Sequence, residues 1–306
     1  MINSIAVIIP CYNSTKTLAR AIESIVNQSI EVKEIIVVDD YSDNPKKITK
    51  ICSTFKSVQY IRNIKNIGLA GSRNVGIWAA KSDIIAFLDA DDQFHKDKLE
   101  IQLRYLSPNN VVSTDAVNID QKSLLDFNIK LDKSQGIKVF SSPFRNLFFN
   151  RLVGSSLIAF ASTLKKNNGY DSQLRSAEDF DLWIRLLQEG INVIAVKAPL
   201  YLYYDREGSL SKDEFSIWTN IVVSIKKFIS YKNYKKGAIS EQFIWIILIC
   251  KEFIKAEALD NQNLKNKLLL DIQLLLSNKF IKIIMNAFIS FKIFKILSFL
   301  FLRTKL

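Results

Sequence analysis

The chain is short of the residues that mark several common protein classes. Of its 306 residues, three are cysteine, five proline, nine glycine and one histidine. Cys11, Cys52 and Cys250 are odd in number and far apart, so no metal-ligand or redox pair is written into the sequence. They suit small core positions in a reducing compartment. So little proline and glycine leaves no flexible linker, and no tandem repeat is present. No Gly-x-Gly-x-x-Gly follows the first apolar run and no Walker-type loop occurs, which disfavours dinucleotide-binding and P-loop classes. The N-terminus has no basic segment leading into a signal-type apolar run, because Pro10 and Asn13 interrupt it early; export is not expected.

What is present is the composition of a folded protein, 48% hydrophobic and 24% charged, with length enough for one large domain or two smaller ones. The net charge of +12 is unevenly placed. From Lys226 onward there are 15 Lys/Arg against 5 Asp/Glu, a balance of +10; the first 225 residues carry 27 against 25, or +2. That asymmetry points to an anionic partner for the C-terminal quarter, membrane lipid or nucleic acid.

The N-terminal half is organised around Ile84-Ile85-Ala86-Phe87-Leu88-Asp89-Ala90-Asp91-Asp92. An apolar run ends in three carboxylates within four residues. This reads as a buried strand whose acids lie just past its carboxyl end, where open α/β sheets bind ligands. Carboxylates this close repel unless a cation or hydrogen-bond donors compensate. Hard oxygen ligands suit Mg²⁺ or Mn²⁺. The competing reading is a solvated turn that caps the next helix.

Before this stretch, strands and helices alternate. Strands are expected at Ser4 to Ile9, Glu34 to Val38 and Val58 to Ile61, with a helix capped by Ser14 or Thr15, a second from Pro45 to Phe55 and a third opening at Gly71. The alternation predicts a doubly wound parallel sheet. Its carboxyl edge would gather Tyr12, Asp39-Asp40 and Asp89 to Asp92. Further on, a helix is expected from Lys96 to Tyr105 and short strands at Val111 to Ser113, Ile158 to Ala161, Val193 to Val196 and Tyr201 to Tyr204. Residues 116–150 have weak periodicity and receive no assignment. Acids at Glu178, Asp179 and Asp181 favour a helix start, with Phe180, Trp183, Leu186 and Leu187 as its buried stripe and Gly190 at its end. Beyond about Asp213 the pattern is helical and basic.

Laid out in order, these motifs resemble the inverting family 2 glycosyltransferases of the GT-A fold, of the bacterial cell-surface polysaccharide type. The motifs are Val7-Ile8-Ile9-Pro10-Cys11-Tyr12-Asn13, Val37-Val38-Asp39-Asp40, Gly68-Leu69-Ala70-Gly71-Ser72-Arg73-Asn74-Val75-Gly76, Leu88-Asp89-Ala90-Asp91-Asp92, and Gly169-Tyr170-Asp171 followed by Ala177-Glu178-Asp179-Phe180-Asp181-Leu182-Trp183. The similarity spans roughly residues 3–211. It implies a Rossmann-like, mostly parallel sheet flanked by helices over 1–212, followed by a basic helical region, 213–306.

The resemblance also implies roles. The loop with Tyr12 and Asn13 would hold the nucleotide base, Tyr12 by stacking, with Pro10, which closes the strand before it, also at the substrate. Asp40, and more weakly Asp39, would accept from the uracil imide. Arg73 would lie near the phosphates or brace the acidic motif. Asp89, with Ala90 beside it, would sit near the ribose. Asp91 and Asp92 would bind Mn²⁺ or Mg²⁺, and Asp179 would be the general base with Glu178 beside it. The implied reaction moves a sugar from a nucleoside-diphosphate sugar, with UDP expected, to a hydroxyl of a lipid-linked or cell-surface glycan such as O-antigen or capsule. The alternatives are transfer to a polyprenyl phosphate and a non-catalytic nucleotide-sugar-binding membrane protein. The chain departs from the family pattern at Tyr203 to Ser211, where Tyr204 and Arg206 stand in place of an Arg and a His; Arg206 is then a candidate diphosphate ligand.

The last 29 residues mix aromatic and aliphatic positions with Lys279, Lys282, Lys292, Lys295 and Arg303. Their longest uncharged stretch, Ile283 to Phe291, is far short of the ~18 residues a spanning helix requires. Two amphipathic helices lying on an anionic membrane surface fit this pattern, and so does a core-packing helix of an accessory region. A stripe so poor in arginine argues against nucleic acid. The expected location is cytoplasmic, at the inner face of the plasma membrane.

Overall fold

The computed structural model describes residues 4–119, 136–141 and 152–205, with scattered helical positions between 216 and 227. The architecture below belongs to the first of the chain's two units, Met1–Ser224. The boundary expected at 212/213, Arg206 and the basic tail all lie outside the described residues.

The chain runs β1 (Ile5–Cys11), α1 (Leu18–Val26), β2 (Glu34–Asp39), α2 (Pro45–Ser53), β3 (Val58–Arg62), α3 (Gly68–Ala79) and β4 (Ile84–Phe87). These four strands are parallel, in the order β3-β2-β1-β4. Alternation of side chains across the pleat makes two cores. Ile5, Val7, Ile9 and Cys11 join Ile35 and Val37 in one cluster with Leu18, Ile22 and Ile25 of α1 and Ile48 of α2. Ala6 and Ile8 join Ile36, Val38, Ile85 and Phe87 in the other, with Ala70 and Ile77 of α3. Both faces of β1 are therefore buried, which is why it reads as a continuous apolar run. The crossover through α3 carries the chain from the edge strand β3 back past β1, so the winding reverses between β1 and β4. Open α/β sheets present their crevice at such a reversal. At Gly76, a β-carbon would overlap the Ile8 side chain, so only glycine lets α3 approach β1 this closely.

After β4 come β5 (Gln93–Phe94), α4 (Lys98–Leu103), β6 (Asn110–Asn118), β7 (Ile137–Phe140), a 3₁₀ turn (Gly154–Ser156), β8 (Ile158–Phe160), α5 (Ala161–Lys166), α6 (Glu178–Gln188) and β9 (Asn192–Tyr203). The sheet continues as β4-β8-β6-β9-β5, with β7 also on β9. Here β8 is antiparallel to β4 and β6, while β6 and β9 are parallel. The expected parallel sheet thus holds for β3-β2-β1-β4 and gives way to mixed pairing beyond it. The two strands expected between 193 and 204 are one strand, β9. Its register slips opposite Thr114 to Ala116, where Pro199 enters the pairing. β6 extends to Asn118 and β7 lies within the stretch left unassigned.

The expected cap of α1 is corrected. Neither Ser14 nor Thr15 caps it by side chain. Thr17 is the N-cap residue, and the Ser14 hydroxyl donates to the Tyr12 carbonyl instead. Asn44 does cap α2, accepting from the Lys47 N–H with Pro45 in the first turn. No helix among the described residues is long and apolar enough to cross a membrane.

Candidate active site

The loops that leave β1 and β2 are tied together. Asn13 has φ +54°. Its N–H donates to the Ser42 hydroxyl (2.9 Å), its side-chain amide donates to Asp43 Oδ2 (3.0 Å), and the Asp43 N–H donates back to Asn13 Oδ1 (2.9 Å). Tyr12, just before it, is 50% exposed at the carboxyl edge. Pro10, expected to close the first strand, is followed in it by Cys11. It is buried within β1, opposite Val38, where the β4 ladder has already ended at Ile8.

Asp39 and Asp40 also turn out to serve the fold. Asp39 is fully buried and accepts from the Ser42 N–H (2.9 Å), Tyr60 hydroxyl (2.6 Å) and Arg62 guanidinium (2.6 Å). Burial pushes its pKa up, but these hydrogen bonds outweigh that and leave it below the usual carboxylate range. Asp40 accepts from the Asn63 amide (2.9 Å) and from the Ile67 and Gly68 N–H groups (2.8 Å each), which open α3. Any bond from a base to Asp40 must share oxygens that already accept three.

Beyond β4, the acidic loop is pinned at several points. The Asp92 N–H donates to the Asp89 carbonyl (3.1 Å), and Ala90 is buried between them. Arg20 of α1 donates to the Asp91 carbonyl (2.7 Å) while its guanidinium lies 3.7 Å from the centre of the Tyr204 ring. Asp92 is 2% exposed. It accepts from the Tyr201 hydroxyl (2.8 Å) and the Tyr204 N–H (3.0 Å), so its carboxyl is turned onto β9. Burial, then the charges of Asp89 and Asp91, pushes its pKa up to about 8. Both oxygens of Asp92, expected with Asp91 to bind the metal, thus accept hydrogen bonds from residues at the end of β9. Among the described residues no three His, Cys, Asp or Glu converge into a self-sufficient metal site. The candidate donors are Asp91, with Asp89 as neighbour. One or two carboxylates suit Mg²⁺ or Mn²⁺, which take their other ligands from phosphate and water.

Arg73 joins the acidic loop to α6. It is 2% exposed and donates to Glu178 Oε1 (2.6 Å), Asp89 Oδ1 (2.9 Å) and the Ser155 hydroxyl (3.2 Å), with its guanidinium 5.2 Å from the Tyr170 ring centre. Burial alone would depress its pKa; the neighbouring carboxylates more than offset this and hold it fully charged. These contacts tie Arg73 to the acidic motif through Asp89. Asp179 follows Glu178 in the first turn of α6, and its Oδ1 accepts from the Phe180 N–H (2.7 Å). Burial of its carboxyl, then the charge of Glu178, pushes its pKa up to about 7 against the pull of that N–H and of Arg73. Ala177, just before, is held at φ +54°, a left-handed conformation that stores strain for a residue with a β-carbon.

Asp89, Arg73, Glu178 and Asp179 therefore form one cluster, Tyr12, Asn13, Asp39 and Asp40 a second at the ends of β1 and β2, and Asp92 faces β9. The sequence reading missed Gly154 and Ser155. The Ser155 hydroxyl donates to Asp89 Oδ2 in a short bond, and Gly154 packs against Asp179. The available signal was a small polar triplet before an apolar strand, which marks a turn but no role. Tyr201 and Arg20 gave no signal at all.

Comparison with known proteins identifies the family and the fold. Residues 6–156 match the family model described as "Glycosyl transferase family 2". The chain is 30% identical over 221 residues to EpsE of Bacillus subtilis, named as a glycosyltransferase, covering 69% of this chain and 77% of that one. It is 27% identical over 224 residues to the amylovoran biosynthesis glycosyltransferase AmsB of Erwinia amylovora, covering 69% and 73%. It spans only 26–30% of the length of three rickettsial glycosyltransferases to which it is 33–36% identical. Among solved structures, S. aureus TarS 1-349 in complex with UDP-GlcNAc aligns with a TM-score of 0.57 at 20% identity, covering 82% of this chain and 80% of that one; this is the GT-A fold. On its motifs, its fold and these relatives together, the chain belongs to glycosyl transferase family 2.

Proposed function

We propose that the chain transfers one sugar from a UDP-sugar to a hydroxyl of a lipid-linked or cell-surface glycan, inverting the anomeric carbon. The observation that carries this reading is Asp179, seated beside Glu178 and across Arg73 from Asp89, with a pKa lifted to about 7. A base works best when its pKa lies near the working pH. Asp179 takes the proton of the attacking hydroxyl. That oxygen bonds to the anomeric carbon on the face opposite the diphosphate, whose bond to the sugar breaks with the electron pair leaving on the diphosphate. Glu178 and Arg73 keep Asp179 and Asp89 in register by their buried ion pairs. Tyr12 offers a stacking face for the base at the edge of β1. A Mn²⁺ or Mg²⁺ held by Asp91, with Asp89 beside it, would neutralise the diphosphate's charge.

A UDP donor is supported by the likeness to the UDP-GlcNAc-bound fold, and a polysaccharide acceptor by the name of AmsB. The basic, aromatic tail supports docking on an anionic membrane surface where a lipid-linked acceptor would be found. The test is a panel of UDP-, GDP- and dTDP-sugars with Mn²⁺ or Mg²⁺, read by thermal stabilisation, donor hydrolysis and the anomeric configuration of the product. Selective response to UDP-sugars with inversion is expected. Stabilisation by no nucleotide sugar, or retention of configuration, overturns the reading.

A further inference from the structure

The Gly154–Ser156 turn touches Asp89, Arg73 and Asp179, yet it contributes no charge itself. Ser155 stands between Asp89 and Arg73, donating to the first and accepting from the second. A β-carbon built on Gly154 would lie 2.5 Å from the Asp179 β-carbon and 2.8 Å from its carboxyl carbon, and closer still to Oδ2. No real β-carbon tolerates such contacts, so any side chain at 154 must push Asp179 or the turn aside.

Behind, the turn is pinned to the core. The Ser156 carbonyl accepts from Lys98 Nζ (3.0 Å) and from the Gln102 amide (2.8 Å). Its hydroxyl pairs with Ser113 (2.7 Å) and accepts from the Thr114 N–H (3.0 Å). Lys98 is fully buried, 4.0 Å from the Phe94 ring centre, and its remaining polar contact is the Gln102 carbonyl oxygen (2.7 Å). Burial drives its pKa well below that of an ordinary lysine. A buried amine without a carboxylate is costly to keep. Here it ties α4 to the turn, and the turn has little freedom to yield.

We propose that Gly154 and Ser155 are positioning residues for the transfer. Gly154 sets the seat of the general base Asp179, and Ser155 fixes Asp89 against Arg73, both on a turn anchored by Lys98 and Gln102. The proposal rests on the reading of Asp179 as the base. Because the turn holds both centres, a displacement of the base by about 1 Å would cost roughly 10²-fold in rate.

The experiment uses the full chain and three variants, Gly154→Ala, Ser155→Ala and Ser155→Thr, each checked by thermal unfolding. Turnover is measured with the donor found in the panel, and binding with UDP and Mn²⁺ by calorimetry. The Asp179 carboxyl is followed by carbon NMR of aspartate-labelled protein, assigned by its loss in Asp179→Asn. Gly154→Ala should lower kcat roughly 10²-fold with UDP affinity unchanged and should shift the Asp179 titration midpoint. Ser155→Ala should weaken UDP–Mn²⁺ binding and lower kcat, and Ser155→Thr, which keeps the hydroxyl, should restore both. An unmoved Asp179 midpoint in Gly154→Ala overturns the role of Gly154, whatever happens to turnover. Should Gly154→Ala fail to fold, the serine pair decides: equal behaviour of Ser155→Ala and Ser155→Thr overturns the proposal. If wild type turns over no donor, the functional reading has failed, and the carboxyl titration still judges the turn.

Discussion

Arg73 and Glu178 are 105 residues apart in sequence and 2.6 Å apart in space, both almost wholly buried. Arg73 sits at mid-helix in α3, and Glu178 opens α6. The same guanidinium reaches Asp89 just past the end of β4, so one cation joins three elements through two acids. A buried pair stripped of one partner leaves an uncompensated charge, which typically costs about 3–5 kcal/mol. Arg73→Met should therefore lower stability by that order, read by denaturant unfolding. A stability within about 0.5 kcal/mol of wild type, as for an ordinary surface change, would show that the acids do not depend on it.

Asp179→Asn keeps size and hydrogen bonding but cannot take a proton. It should bind UDP as well as wild type and lose transfer by roughly 10²–10⁴-fold, the usual worth of a positioned base. Glu178→Gln should cost less. In wild type, kcat/KM should rise as pH increases through about 7, because the base acts only when deprotonated. A profile flat from pH 5 to 9 would remove Asp179 from the role.

Asp91 and Asp92 are neighbours with opposite expected phenotypes. Asp91→Ala should abolish metal-dependent UDP binding, measured by calorimetry, with little change in unfolding. Asp92→Asn should keep that binding and change the pH dependence of stability. With its pKa raised to about 8, folded Asp92 keeps a proton that the unfolded chain releases near pH 4. The folded state binds more protons in that window, so stability falls as pH rises from about 4 to 8. Asp92→Asn should flatten this fall, and an unchanged slope would place the titration elsewhere.

Removal of residues 279–306 should leave a chain that no longer sediments with anionic vesicles. Wild-type binding should weaken as salt rises, since exposed lysine–headgroup attraction is screened. Equal sedimentation of the truncated chain would end the membrane reading.

Much of the fold was legible because buried parallel strands announce themselves. Ile5 to Ile9 and Ile35 to Val38 are apolar on both faces, and a run of that kind has few other uses. The site was legible in part. Asp89, Asp91, Glu178 and Asp179 stand where strand and helix ends put them. The contacts of Asp92 were not legible, because the groups that bond to it, Tyr201 and Tyr204, carry no sequence signal of their distant partner. Pro10 was read as closing the first strand, yet the strand runs on to Cys11; the early end of the β4 ladder makes room for the proline. Gly154 was invisible for a related reason. Its importance lies in the atom it lacks, and only the packing of Asp179 reveals that.

The pairing of Asp92 with Tyr204 also sets an order in time. The two are 112 residues apart. At a synthesis rate of about 5–20 residues per second, Asp92 leaves the ribosome roughly 6–22 s before its partner does. During that interval β1 to β4 can pair among themselves, but the carboxyl stays hydrated and charged. The arrival of β9 then dries and protonates it. The acidic loop takes its final shape only as the last strand docks, so a nascent chain holds no finished site until most of this unit has been made.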